Sequence, residues 1–164
     1  WLHSELQVGA WKANLHAGSA DAGLYTRASV ALNALLALGR DETMYFIATH
    51  DDAGQPLRSQ CSYLVSGLPP PARWWSITAY AEDMFLFDAP SRRYSVNGSS
   101  AILDAQGRFS LSTGPQAPAE GAWLETPGAR PLVLTLRLYN PLAALQAAPE
   151  TLPAPRIRAV RGCT

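Results

Sequence analysis

Arg73-Trp74-Trp75-Ser76-Ile77-Thr78-Ala79-Tyr80 is the stretch on which the fold class turns. Side chains alternate across a β-strand, so Trp74, Ser76, Thr78 and Tyr80 share one face, and Arg73, Trp75, Ile77 and Ala79 the other. Each face carries a large aromatic residue. A strand at the rim of a sheet, or one with a wet face, does not need this. The run therefore reads as an interior strand of a β-sandwich with both faces covered. The turn Leu68-Pro69-Pro70-Pro71 leads into it.

Outward from this strand, the chain reads as further strands and turns. Thr43 to His50 is rich in aromatic and β-branched residues, and Leu57 to Val65 returns after the turn Asp51-Asp52-Ala53-Gly54, which predicts a hairpin. Phe85-Leu86-Phe87 ends at Asp88-Ala89-Pro90, and Arg93 to Val96 reads as another strand. Asp104 to Gly107 turns into Arg108 to Thr113. Gly114 to Gly128 is a long surface loop pinned by Trp123. In the last long strand, Pro131 to Tyr139, Leu132, Leu134, Leu136 and Leu138 point to the core, and Val133, Thr135, Arg137 and Tyr139 to the opposite face. The tail, with Pro149, Pro153 and Pro155, is extended and packed by Ile157 and Val160.

One helix is predicted, over Ala22 to Leu38, capped by Asp21 and stopped at Gly39, with apolar residues from Leu24 to Leu38 recurring near the helical period. The expected architecture is mainly β: a sandwich or barrel with one N-terminal α-helix packed on it. Residues 1–20 form a weakly patterned lead-in, and 21–164 a single domain.

Composition narrows the function classes. The chain of 164 residues is 48% apolar, 16% charged and formally neutral, so it has no electrostatic footprint for nucleic acid or an anionic membrane surface. His3, His16 and His50 are too scattered for a metal centre, although His50 with Asp51 and Asp52 makes an adventitious surface ion site. There is no phosphate-binding glycine loop and no cofactor is expected, and without a Gly-x-Ser-x-Gly elbow an α/β-hydrolase reading fails. The sequence starts at Trp1 without a methionine, which fits the loss of a signal peptide or membrane anchor, or a trimmed cytoplasmic chain. Cys61 and Cys163 join as a disulfide if the protein is exported, and remain thiols in a reducing cytosol.

Several phrases in order resemble a known family. They are Tyr25-Thr26-Arg27-Ala28, Met44-Tyr45-Phe46, Asp52 to Leu57, Pro71 to Tyr80, Arg93-Tyr94-Ser95 and Leu136-Arg137-Leu138-Tyr139-Asn140-Pro141. Over roughly residues 10 to 160 the chain is similar to the domain of unknown function family 1214, in its short envelope-anchored form. The resemblance implies a jelly-roll-like β-sandwich, an N-terminal signal or anchor, and a place outside the cytoplasm. It assigns no catalytic residue. Two positions depart from the family pattern: Ala81 stands where an aspartate is usual, and Ala122 where an asparagine is frequent.

Two functional readings follow. In the first, the chain is a non-catalytic accessory or binding subunit of an envelope or membrane protein complex, tethered to the bacterial inner membrane. It touches the membrane only through the missing N-terminal anchor, and Trp1, Trp11 and Trp123 are the contact residues. Trp1 and Trp11 also read as anchors on the body of the domain. In the second, it is a small-ligand binder or hydrolase-type enzyme with a pocket at one mouth of the sandwich, lined by Trp75, Tyr80, Arg93, Arg137 and Tyr139. Glu82, Asp83 and Asp88 then stand as carboxylates near an aromatic patch. In the structural alternative, these same acids neutralise Arg137.

Overall fold

The computed structural model describes residues 5–14, 24, 39 and 41–161. Ten strands form two sheets. The larger, in the order β1-β2-β3-β9-β5-β6, joins β1 (Glu5–Val8), β2 (Trp11–Asn14), β3 (Thr43–Ala48), β9 (Leu132–Pro141), β5 (Ala72–Ala81) and β6 (Ser95–Asn97). All its pairings are antiparallel. The smaller, in the order β10-β4-β7-β8, joins β10 (Arg156–Arg161), β4 (Ser62–Gly67), β7 (Phe109–Gly114) and β8 (Ala122–Glu125). There β7 and β8 run parallel.

The alternation read from the sequence sets the register. β5 and β9 pair along their whole length, from Ala72 opposite Pro141 to Ala81 opposite Leu132. Their core faces, Trp75, Ile77, Ala79 and Ala81 with Leu132, Leu134, Leu136 and Leu138, are closed to solvent. Tyr63, Val65, Phe109, Leu111, Leu124 and Ile157 of the smaller sheet complete the same buried cluster. The architecture is thus mainly β and sandwich-like, with β5 an interior strand between β9 and β6; its second aromatic face is not fully covered, since Trp74 is exposed.

The stretch from Gly114 to Gly128, expected to be a surface loop, contains β8 with Leu124 buried in the core; Trp123 sits in that strand and ties it back to the end of β7. Its indole Nε1 donates to the Gly114 carbonyl at 3.0 Å, and the Thr126 amide donates to the same oxygen at 3.1 Å. The hairpin expected between Thr43 to His50 and Leu57 to Val65 does not form: His50 bridges Pro56 across the turn, but β3 then belongs to the larger sheet and β4 to the smaller, because the chain crosses the core between them. The turn itself is held by Asp51, whose Oδ1 accepts from the Ala53 and Gln55 amides at 2.9 and 2.8 Å.

The helix predicted over Ala22 to Leu38 lies outside the described residues apart from Leu24, which is helical and 83% exposed. Among the described residues an α-helix not expected from the sequence, α1 (Ala143–Ala147), directly follows β9. Three further expectations are corrected. The lead-in is patterned after all: Glu5–Val8 and Trp11–Asn14 form a hairpin about Gly9, whose φ of +59° suits glycine, and Lys12 pairs with Ile47. Phe85-Leu86-Phe87 is not a strand, because the backbone turns at Met84 and only Phe87 goes inside. In the tail Ile157 is buried but Val160 is exposed, since residues three apart on a strand cannot share a face.

Candidate functional site

The face of the larger sheet that points away from the core collects most of the polar and aromatic groups singled out in the sequence. Register lays them in rows. Tyr45 of β3, Arg137 of β9, Ser76 of β5 and Asn97 of β6 stand in one row. Ile47, Thr135, Thr78 and Ser95 stand in the next, and Thr43, Tyr139 and Trp74 flank the first row on its other side.

Arg137 organises this face. Its Nη2 donates to the Tyr80 hydroxyl at 3.0 Å, and its guanidinium carbon lies 5.3 Å from the centre of the Tyr80 ring. Tyr80 is opposite Val133, two rows along from Arg137, so the two side chains lean toward each other over the row of Thr135 and Thr78. Both threonines are buried beneath them, and the Thr135 hydroxyl has no hydrogen-bond partner. Beside Arg137, Tyr139 packs on Trp74 in a tilted pair with ring centroids 5.2 Å apart. Burial raises the Tyr45 phenol above its ordinary range, the neighbouring Tyr139 pushes the same way, and Arg137 opposes. Tyr45 therefore keeps its proton.

The acids expected to neutralise Arg137 do not do so. Arg130 takes two of them: its Nη2 meets Asp83 at 2.7 Å and its Nε meets Glu82 at 3.2 Å. Among the described residues no carboxylate reaches Arg137. The hydrogen bonds from Arg130 and then from the Phe85 amide hold Asp83 below the usual carboxylate range.

The other singled-out residues are dispersed. Trp75 is on the opposite side of the sheet, in the core, against Phe109. Arg93 is exposed in the loop before β6, with no side-chain hydrogen bond or ion pair among the described residues. Trp11 is fully buried and its Nε1 donates to the Pro155 carbonyl at 2.7 Å, which is an anchoring role. Trp123 is half-buried. Trp1 and Cys163 lie outside the described residues, whereas Cys61 is buried beside β4. Sequence reasoning put Trp74 on the face of Tyr80 but named neither it nor Tyr45 as a site residue. The period-2 pattern of β3 and β5 was visible, but which strand stands beside β9 was not.

An open cleft of about 560 Å³ lies elsewhere, between the β1–β2 turn, the β3–β4 turn and the approach to β10. Lys12, His50, Asp52 and Arg156 line it, and none of the residues expected in a pocket does. Its acids are used internally: Asp51 caps the turn, and Asp52 pairs with Arg156 and accepts from the Ile157 amide. His50 and its neighbours do not gather a metal-binding set, and the described residues contain no cluster of three metal-ligating side chains.

Comparison with known proteins agrees with the fold. The VPA0106 protein of Vibrio parahaemolyticus superposes with a TM-score of 0.70 at 22% identity, over 86% of this chain and 36% of that one. An uncharacterised protein from Burkholderia cenocepacia superposes with a TM-score of 0.54 at 17% identity, over 73% and 30%. The chain thus spans about a third of the length of these structures. No curated protein matches it. The profile described as "Protein of unknown function (DUF1214)" matches residues 42–143, which include β3 through β9 and so the whole Arg137 face apart from its β1–β2 edge. With more than half of its length matched, the chain belongs to the DUF1214 family.

Proposed function

We propose that this chain is an extracytoplasmic, jelly-roll-like binding module, tethered to the bacterial inner membrane through a segment before its N-terminus. It acts as a non-catalytic accessory subunit of an envelope or membrane protein complex. The observation that carries the reading is Arg137: a half-buried guanidinium, set among Tyr80, Tyr139 and Trp74, that meets a phenol and no carboxylate among the described residues. A cation kept on a rigid sheet without a counter-charge is suited to receive one from elsewhere. Glu82 and Asp83 are both engaged by Arg130.

The export part of the proposal draws on the cysteines. β10 runs back along β4 with Arg161 opposite Ser62, so the chain reaches the neighbour of Cys61 two residues before Cys163. A bond between the two would close a loop of about 100 residues, worth up to ~4.7 kcal/mol in the chain-entropy model. Intact mass before and after reduction tests it: a gain of two protons on reduction supports the bond, and two free thiols in the native protein refute it.

Native purification from detergent-solubilised membranes tests the module itself. A stoichiometric membrane-protein partner that is lost in Arg137→Gln is expected. A monomer with no co-purifying partner overturns the reading.

A further inference from the structure

We infer that the Arg137 face recognises a carboxylate carried next to an apolar or aromatic group, so that the partner of the proposed module docks through an acidic end or acidic side chain. The inference rests on the binding-module reading and adds the chemistry of its site.

The donor inventory points this way. Arg137 offers five N–H groups and spends one, from Nη2, on the Tyr80 hydroxyl. Because that hydroxyl is accepting, its own proton is available to donate, and it sits beside the guanidinium. The guanidinium supplies charge-assisted donors of the kind a carboxylate accepts, and the Tyr80 hydroxyl adds a donor beside them. The strands at the middle of this face, β9 and β5, contribute no other cation to it: their outward residues are Val133, Thr135, Arg137 and Tyr139, and Trp74, Ser76, Thr78 and Tyr80. One fixed positive charge matches a monoanion better than a phosphate dianion.

The apolar part of the inference comes from the other side of Arg137. Trp74 is 38% exposed and is held in place by its tilted contact with Tyr139. An indole fixed at the edge of a cationic patch gives a flat wall for a ring or an aliphatic chain, at low entropic cost because it is already ordered. Acetate would meet only the cation; benzoate would meet both.

The probes are benzoate, its neutral isostere benzamide, and inorganic phosphate, titrated into the isotopically labelled chain while the Arg137 Nε–H and Trp74 indole N–H signals are followed, the indole signal alone serving in the Arg137 variants. Benzoate is expected to shift these signals saturably, with benzamide and phosphate at least about tenfold weaker. Tyr80→Phe should weaken benzoate several-fold, and Arg137→Gln should abolish binding with the fold retained. Should Arg137→Gln not fold, Arg137→Lys keeps the charge without the fork and is expected to bind benzoate about tenfold more weakly. The inference fails if benzoate gives no saturable shift, if benzamide or phosphate matches it, or if neither Arg137 variant changes its affinity. Benzoate should also release the co-purified partner. A partner retained at saturating benzoate sinks the inference and leaves the module standing, whereas benzoate binding without any partner sinks the module and leaves the site.

Discussion

Trp75 of β5 lies against Phe109 of β7 with ring centroids 4.7 Å apart, so the strand that organises the larger sheet is tied directly to the smaller one. The space around it is full: a Cβ on Gly98 would come within 3.3 Å of the Trp75 indole nitrogen, and the Gly98 amide donates to the Trp75 carbonyl. Trp75→Ala should therefore cost ~3–5 kcal/mol in denaturant unfolding, the range for emptying a buried aromatic site. The Trp75/Phe109 pair should show a coupling of about 0.5–1.5 kcal/mol in a double-mutant cycle. Additive single effects would mean that the two rings merely share a core.

Gly114 is the point where β7 stops and the loop to β8 begins. Its φ of +152° is one that side chains with a Cβ rarely adopt, and a Cβ there would sit 2.8 Å from Ser62 Oγ and 3.3 Å from the Cys61 carbonyl. Its own carbonyl receives both Trp123 Nε1 and the Thr126 amide. Gly114→Ala should destabilise by ~1–3 kcal/mol through backbone strain. Amide exchange should speed up first at Thr126 and Trp123, before β5 or β9 is affected. Uniform acceleration across both sheets would instead indicate a global effect.

Strands with strong alternation were legible because burial enforces a period of two wherever one face meets the core. β9 is the clearest case: its four leucines are closed to solvent and its polar set faces outward. The turn at Asp51 was legible for a local reason, since it depends on side-chain-to-backbone bonds within four residues, whereas the strand β8 inside the stretch expected as a loop was not, because its partner β7 is reached only through the sheet. What could not be read was which strands become neighbours. Arg137 had three acids within plausible reach along the sequence, and only the sheet order shows that Arg130 captures Glu82 and Asp83 while Arg137 is left to Tyr80. The β1–β2 hairpin was readable in principle from Leu6 and Val8 against Trp11 and Ala13 around Gly9, but four-residue strands give a weak signal. The parallel partnership of β7 and β8 had no local signature at all.

The Arg130–Asp83 pair makes stability weakly dependent on pH at the acid end. Asp83 has a folded-state pKa below its ordinary value, so the pair contributes above the unfolded pKa near 3.8 and is lost as pH falls through the lower folded value. Both side chains are well exposed, which keeps the effect small. In Arg130→Met the Asp83 carboxyl should titrate at a higher pH, detectable by carbon NMR. The difference in melting temperature between the two proteins should shrink as the pH drops below that range. A difference that grows with acidity would assign the stabilisation to some other contact of Arg130.

Asp52 closes the free edge of β10. Its amide donates to the Ile157 carbonyl at 2.9 Å, and its Oδ2 accepts from the Ile157 amide at 3.2 Å and from Arg156 Nε at 2.5 Å. An exposed strand edge invites pairing with another chain, and here a side chain occupies the donor that such a chain would use. The ion pair and the strand contact can be separated by mutation. Arg156 is 58% exposed, so Arg156→Ala should cost no more than ~1 kcal/mol. The Asp52 carboxylate is only 16% exposed and receives a backbone donor as well, so Asp52→Ala should cost about 1.5–3 kcal/mol and accelerate exchange at the Ile157 amide. It should also increase concentration-dependent self-association in sedimentation, because the uncovered Ile157 amide is then open to a second strand. Equal losses in the two variants, with no change in association, would mean that Asp52 serves only as the counter-ion of Arg156.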